Sequence, residues 1–374
     1  TILSLSNISP VPGFFMLIAL LFALFGINVY RLGRDSLSII APTASLLSSQ
    51  IAGAFSFFAV MLAGTWYMYV WIFEKIHQLV TKGTEPWFWY PDGTRIIPFT
   101  ITEMPFYGFL EADLHPHMWG LLVGAFVLTV LFALWKDTKY THTFFNPYLW
   151  VLSLSVGIGY MTNSWDALTL GGLTMAFLVI KYRKAPKIEL LKTLIMFPIL
   201  SYAVALPWSL FYEPPISGVG LVTSQSPFLP WISYWGMFVS VILLFLIPLF
   251  IVLKKQRLLS FSKIIASPYL FHLLLLAVSV LFIASVELVY MKDLFQGGDH
   301  FRVNSVFKIS NQVWLWLGIL AGSMILWTWK ALSPTKHARK IFAVLLLLVF
   351  FGPALYPVKA TWQAKWKDKK LESP

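Results

Sequence analysis

With 374 residues, 58% of them hydrophobic and only 12% charged, the chain is too apolar for a water-soluble protein, where about a quarter of residues are charged. Its apolar runs are continuous rather than alternating, which argues against a β-barrel, and 17% aromatic content argues against disorder. The lack of cysteine removes disulfides, thiolate ligands and a thiol nucleophile, and the formal net charge of +12 fits basic membrane-flanking loops better than a nucleic-acid surface.

Taking about 20 apolar residues as enough to cross a bilayer, ten spans are predicted. They run from Phe14 to Val29, Ile51 to Phe73, Met118 to Leu134, Tyr148 to Met161, Ala167 to Ile180, Leu194 to Phe211, Ile232 to Leu253, Tyr269 to Tyr290, Val313 to Trp329 and Ile341 to Tyr356. The expected fold class is therefore all-α, a polytopic transmembrane helical bundle of about ten spans. The fourth and fifth are short and flank the polar break Thr162-Asn163-Ser164-Trp165-Asp166, so they fit two short crossings or one re-entrant pair. No repeat or linker divides the chain, and residues 1–374 are expected to form a single membrane domain. Because it opens at Thr1 with no basic segment before its first apolar run, a processed, split or truncated chain is expected.

Ten crossings place 17 of the 28 basic residues, from Arg31 to Lys340, on one face, and the positive-inside rule makes that face cytoplasmic. The other face takes 11 of the 16 acidic residues, Glu74, Glu85 and Asp92 among them, in loops at about 74–117, 162–166, 213–230 and 291–310. The basic tail over 357–374, with Lys359, Lys365, Lys367, Lys369 and Lys370, lands on this outer face and is the one misfit. The expected location is integral to a membrane, the plasma membrane, with the polar loops on its non-cytoplasmic side.

Three clusters carry unusual chemistry. The densest holds Glu103, Glu111, Asp113, His115 and His117, where Pro116 suits the first turn of a helix and breaks helical geometry at His115. Ionisable groups at such a break are functional by default, although Asp113 and His115 as simple helix caps are the plainer reading. His-Pro-His does not set two rings at helical i, i+4 spacing, which weakens a metal site. The second cluster contains Glu287, Arg302, Asn304, Lys308 and Gln312: Asn304, Lys308 and Gln312 form an i, i+4, i+8 stripe, Glu287 is a partner for Lys308 or Arg302, and the Arg302 guanidinium suits bidentate phosphate recognition. The third is Asp166 beside Asn163, as helix cap or cavity residue.

Thr102-Glu103-Met104-Pro105-Phe106, Asp113-Leu114-His115-Pro116-His117, Asn163-Ser164-Trp165-Asp166 and Arg302-Val303-Asn304-Ser305-Val306-Phe307-Lys308 together resemble the YYY-domain membrane proteins, from about Ile51 to Trp316. Members are regarded as similar to GT-C glycosyltransferases, which move a sugar from a polyprenyl phosphate on the non-cytoplasmic face. The resemblance implies a GT-C-like fold and a hexosyl transferase in which Asp113, with Glu103 or Glu111, holds or deprotonates the acceptor. It further implies that Arg302 and Lys308, with His115 or His117, neutralise the phosphate of a lipid-phosphate sugar donor; from the residues themselves, Asp166, Glu287 and Asn304 are further candidates for binding substrate or phosphate, and a divalent metal is an open alternative. The family's tyrosine-rich stretch and additional N-terminal spans are lacking, so the resemblance covers its later portion only and leaves a place for a partner chain supplying those spans. Two rival functions are a transporter or channel using Glu287, Lys308 and Asp166, and a non-catalytic subunit of a larger membrane complex.

Overall fold

The computed structural model describes residues 10–84, 87–139, 145–213 and 215–367. Glu85 of the acidic count, and Lys369 and Lys370 of the basic tail, lie outside the described residues. In chain order the helices are α1 (Pro10–Ile40), α2 (Leu46–Phe57, prolonged by a wider turn Phe58–Leu62), α3 (Tyr67–Lys82), α4 (Pro105–Leu110), α5 (Pro116–Lys136), α6 (Pro147–Thr162), α7 (Ser164–Tyr182) and α8 (Lys187–Ser209). After strand β1 (Gly218–Leu221) come α9 (Phe228–Lys255), α10 (Phe261–Ile265) and α11 (Leu270–Ser285), then β2 (Val289–Lys292), α12 (Val303–Ala331) and α13 (Lys336–Trp362). The protein is an all-α membrane bundle, as expected.

Local chemistry sets the ends. Ser45 Oγ accepts the Ser48 N–H at the start of α2, Asn146 Oδ1 accepts the Tyr148 N–H at the start of α6, and Pro116 and Pro147 occupy first-turn positions where no donor is lost. Gly83 ends α3 in the left-handed conformation that a side chain would resist.

Among the described residues, α1, α5, α8, α9, α12 and α13 are long and apolar enough to cross a membrane, and the pair Leu46–Leu62 and Tyr67–Lys82, bent by 64°, makes a seventh if counted as one span. The remaining three expected spans are the helices α6, α7 and α11, with 16, 19 and 16 residues. At about 1.5 Å per residue, 16 residues reach ~24 Å, short of the ~30 Å hydrocarbon core. The break at Asn163 shortens α6, and the turn after Ser285 ends α11 before Glu287.

Two compact units are present. The first, Thr1–Leu32 with Gly108–Pro214, is built on α5, α6, α7 and α8, which pack on one another around α6. Ser153 Oγ donates to Phe197 O across the α6–α8 contact, at 3.3 Å. The second, Gly33–Tyr107 with Pro215–Pro374, is built around α12. In this helix 94% of the most apolar stretch is buried, packed by α2, α9 and α11, the pattern of a core helix. Trp314 is fully buried within it, donates to Ala59 O at 3.1 Å, and sits among the rings of Tyr234, Trp235 and Phe238. Strands β1 and β2 pair antiparallel, from Gly218 opposite Lys292 to Leu221 opposite Val289, and tie the loop before α9 to the loop after α11.

Candidate functional site

In the first unit, α4 ends at Leu110 and the chain reverses through Ala112, whose φ of 55° is uncommon for a residue with a side chain. The Asp113 N–H closes that turn on Gly108 O at 2.8 Å. Asp113 then turns its carboxylate onto the next residues: Oδ1 accepts the His115 N–H at 2.9 Å and meets His115 Nδ1, while Oδ2 lies 3.9 Å from His117 Nε2. His115 is the N-cap residue of α5, with Pro116 behind it, and the two imidazoles lie nearly parallel with centroids 6.1 Å apart. Side-chain exposure separates their roles, at 73% for His115, 22% for Asp113 and 6% for His117. A carboxylate on Nδ1 requires the proton there, which leaves Nε2 of a neutral His115 as an outward-facing acceptor.

Glu111 is exposed just before this turn. Asp166, in the same unit, is almost wholly buried in the first turn of α7, with its N–H on Asn163 O at 2.8 Å. It therefore follows the cap, a position taken by Asn163, and its carboxylate sits at the favourable positive end of that helix. The same unit contains a cavity of about 480 Å³, lined by Gly157, Tyr160, Gly171, Met175, Ser201 and Tyr202 among others.

In the second unit, Arg302 precedes α12 and is 4% exposed. Its guanidinium donates to Glu287 Oε2 at 2.8 Å, to Val286 O at 3.1 Å and to Ser226 Oγ at 3.1 Å. Glu287 also accepts the Ser226 N–H at 2.8 Å and hydroxyl at 2.7 Å. Burial pushes the Glu287 carboxyl up, but these donors from Ser226 and Arg302 more than offset it and hold it below the usual glutamate range. The Arg302 donors clamp the loop before α9 to the end of α11, and Glu287 pairs with Arg302, one of the two partners expected for it. Nearby, Asn304 Nδ2 donates to Asp293 Oδ2 at 2.9 Å, and the Lys308 ammonium lies 4.6 Å from the centre of the Phe307 ring. Gln312 is buried within α12.

Glu103 belongs to this second unit, 2.9 Å from Arg95 Nη1. Among the described residues no group of three His, Asp or Glu side chains is arranged to hold a metal. Residues of the site that the sequence did not single out are Arg95, Ser226 and the cavity lining. Arg95 carried a signal, an isolated cation eight residues before Glu103, whereas Ser226 carried none, being 61 residues from its carboxylate partner. Gly157 in the cavity wall permits close approach of α6 and α8, since a Cβ there would lie 2.6 Å from Ser201 O.

The family model for an uncharacterized membrane protein, DUF2298, matches residues 1–267 and 242–317. The match starts well before Ile51, so the expectation that only the later portion of a family pattern is present is corrected. Nothing among curated proteins or among solved structures matches the chain.

Proposed function

The chain belongs to the DUF2298 family of membrane proteins, and from that premise we propose that it transfers a sugar from a polyprenyl phosphate carrier to an acceptor hydroxyl, in the manner of the GT-C glycosyltransferases that the YYY-domain resemblance implies. The observation that carries the reading is the exposed His115 imidazole held by the half-buried Asp113 at the start of a helix long enough to span. Its chemistry suits removal of a proton from an acceptor. In the proposed step the acceptor oxygen bonds to the anomeric carbon and its proton passes to His115 Nε2. The bond from that carbon to the phosphate oxygen breaks, and its electron pair leaves with the phosphate. Asp113 here orients the ring and stabilises the imidazolium, a positioning role, rather than holding or deprotonating the acceptor itself as the resemblance implies.

The first-turn N–H groups of α5 and the neighbouring His117 suit the leaving phosphate, and the cavity of about 480 Å³ suits a hydrocarbon chain of the carrier. Among the described residues, no three His, Asp or Glu side chains are arranged to fit a divalent metal.

The test uses the full chain in vesicles with a polyprenyl-phosphate hexose and a hydroxyl acceptor. His115→Ala is expected to lower transfer by about 10²-fold or more, the usual worth of a proton-transfer group, with unchanged thermal unfolding. Transfer at the unsubstituted rate by His115→Ala would remove His115 from the chemistry, and no transfer by the unsubstituted chain with any such donor would remove the reading.

A further inference from the structure

Helix α3 divides its surface three ways. Met68, Trp71 and Lys75, at i, i+3 and i+7, form the side packed on the second unit: Met68 and Trp71 are buried, and the ammonium groups of Lys75 and Lys359 sit 5.5 and 3.8 Å from the Trp71 ring. Phe73, Ile76 and Val80 repeat the same spacing on another side and are 72%, 57% and 80% exposed, with Leu79 beside them at 41%. Glu74, His77 and Thr81 make a third, exposed and polar side, about 100° round the axis from the apolar one. A helix that only crossed the bilayer would not carry Glu74, His77 and Thr81 exposed in its second half beside an exposed apolar side.

We propose that α3 lies in the membrane interface, its Phe73, Ile76 and Val80 side set into the boundary between lipid headgroups and acyl chains and its Glu74, His77 and Thr81 side in water. Two observations name lipid as the occupant of the apolar side. The helix follows Leu46–Leu62 across a short break, and the two together make one apolar membrane segment in a chain that is an integral membrane protein. The 64° bend then gives the right depth: 16 residues at about 1.5 Å each, turned by that angle from a membrane-normal axis, climb only ~10 Å, which is the thickness of the interfacial layer rather than of the core. Trp87 and Trp89, exposed after the Gly83 stop, are the residue type that settles at the same level. The helix would thereby hold the following loop, with Asp92, Arg95 and Glu103, at headgroup depth. This inference stands without the transferase reading.

Because the chain contains no cysteine, a single introduced thiol is a unique label. Phe73→Cys, His77→Cys, Val80→Cys and Thr81→Cys, each in the full chain, carry a nitroxide in vesicles of phosphatidylcholine with phosphatidylglycerol, and accessibility to oxygen is compared with accessibility to a water-soluble nickel chelate. The expected result is oxygen-dominated relaxation at positions 73 and 80 and chelate-dominated relaxation at 77 and 81. Chelate access at all four would overturn the proposal in favour of a helix projecting into water. Oxygen dominance at all four would overturn it in favour of a buried span, and immobile, doubly inaccessible labels at 73 and 80 in favour of a protein partner on that side.

Discussion

Glu287 and Arg302 show what a buried pair does at one point of the chain. Glu287→Gln leaves the guanidinium without its anion, and the cost of breaking such a pair, reduced for the part of Glu287 that water reaches, is expected to be about 2 kcal/mol in thermal unfolding. The sign of the pH dependence follows from the depressed carboxyl: its contribution is complete above the ordinary value of 4.5 and is lost as the pH falls through the lower folded value. The gap in melting temperature between the native chain and Glu287→Gln should stay constant from pH 8 to 5 and close only below about pH 4.5. A gap that closed between pH 7 and 6 would show that another group is titrating. At the candidate site, Asp113→Asn keeps the shape but offers the His115 Nδ1–H a weaker acceptor, so transfer should fall less than in His115→Ala while the fold is retained. Asp113, His115 and His117 were legible in the sequence because the three sit within five positions and a proline fixes the break. The pairing of Arg302 with Glu287, 15 residues away, was one of two that the sequence offered, whereas Ser226, 76 residues away, carried no signal.

Among the elements, α12 depends on close approach to α2. A Cβ on Gly322 would lie 1.9 Å from Ala52 O, and Ser56 Oγ bridges the same contact, donating to Ile319 O at 2.8 Å and accepting from Gly322 N–H at 3.3 Å. Gly322→Ala should therefore destabilise by about 1–3 kcal/mol, the cost of overpacking, while Gly298→Ala, with open space around it and no left-handed backbone, should be neutral in the same melting experiment. Equal effects at both positions would contradict the packing account. Helix identity was largely legible, since continuous apolar runs admit little else in a membrane. The bend after Leu62 was not: the run from Ile51 to Phe73 is apolar throughout, and only Gly64-Thr65 marks where two helices part. The two short helices either side of Asn163 were expected from that polar break, whereas α11 proved shorter than its apolar run from Tyr269 to Tyr290, because hydropathy registers composition and the turn after Ser285 decides where the helix ends.

For the molecule as a whole, composition alone established a membrane bundle, and neither the division into two units nor the cavity in the first could be read from it, since both arise from which helices meet. The cavity offers a direct handle on the lipid. Gly171 lines it with its nearest outside atom 3.9 Å from a Cβ, so Gly171→Leu should fill the space with little cost to folding and lower carrier retention several-fold. Whether this protein handles a polyprenyl phosphate is read directly by native mass spectrometry of the full chain released gently from its own membrane. The predicted result is a bound polyprenyl phosphate or its glycoside, retained by the native chain and depleted in Gly171→Leu. A spectrum with ordinary phospholipids retained and no polyprenyl species, from membranes shown to contain them, would contradict it.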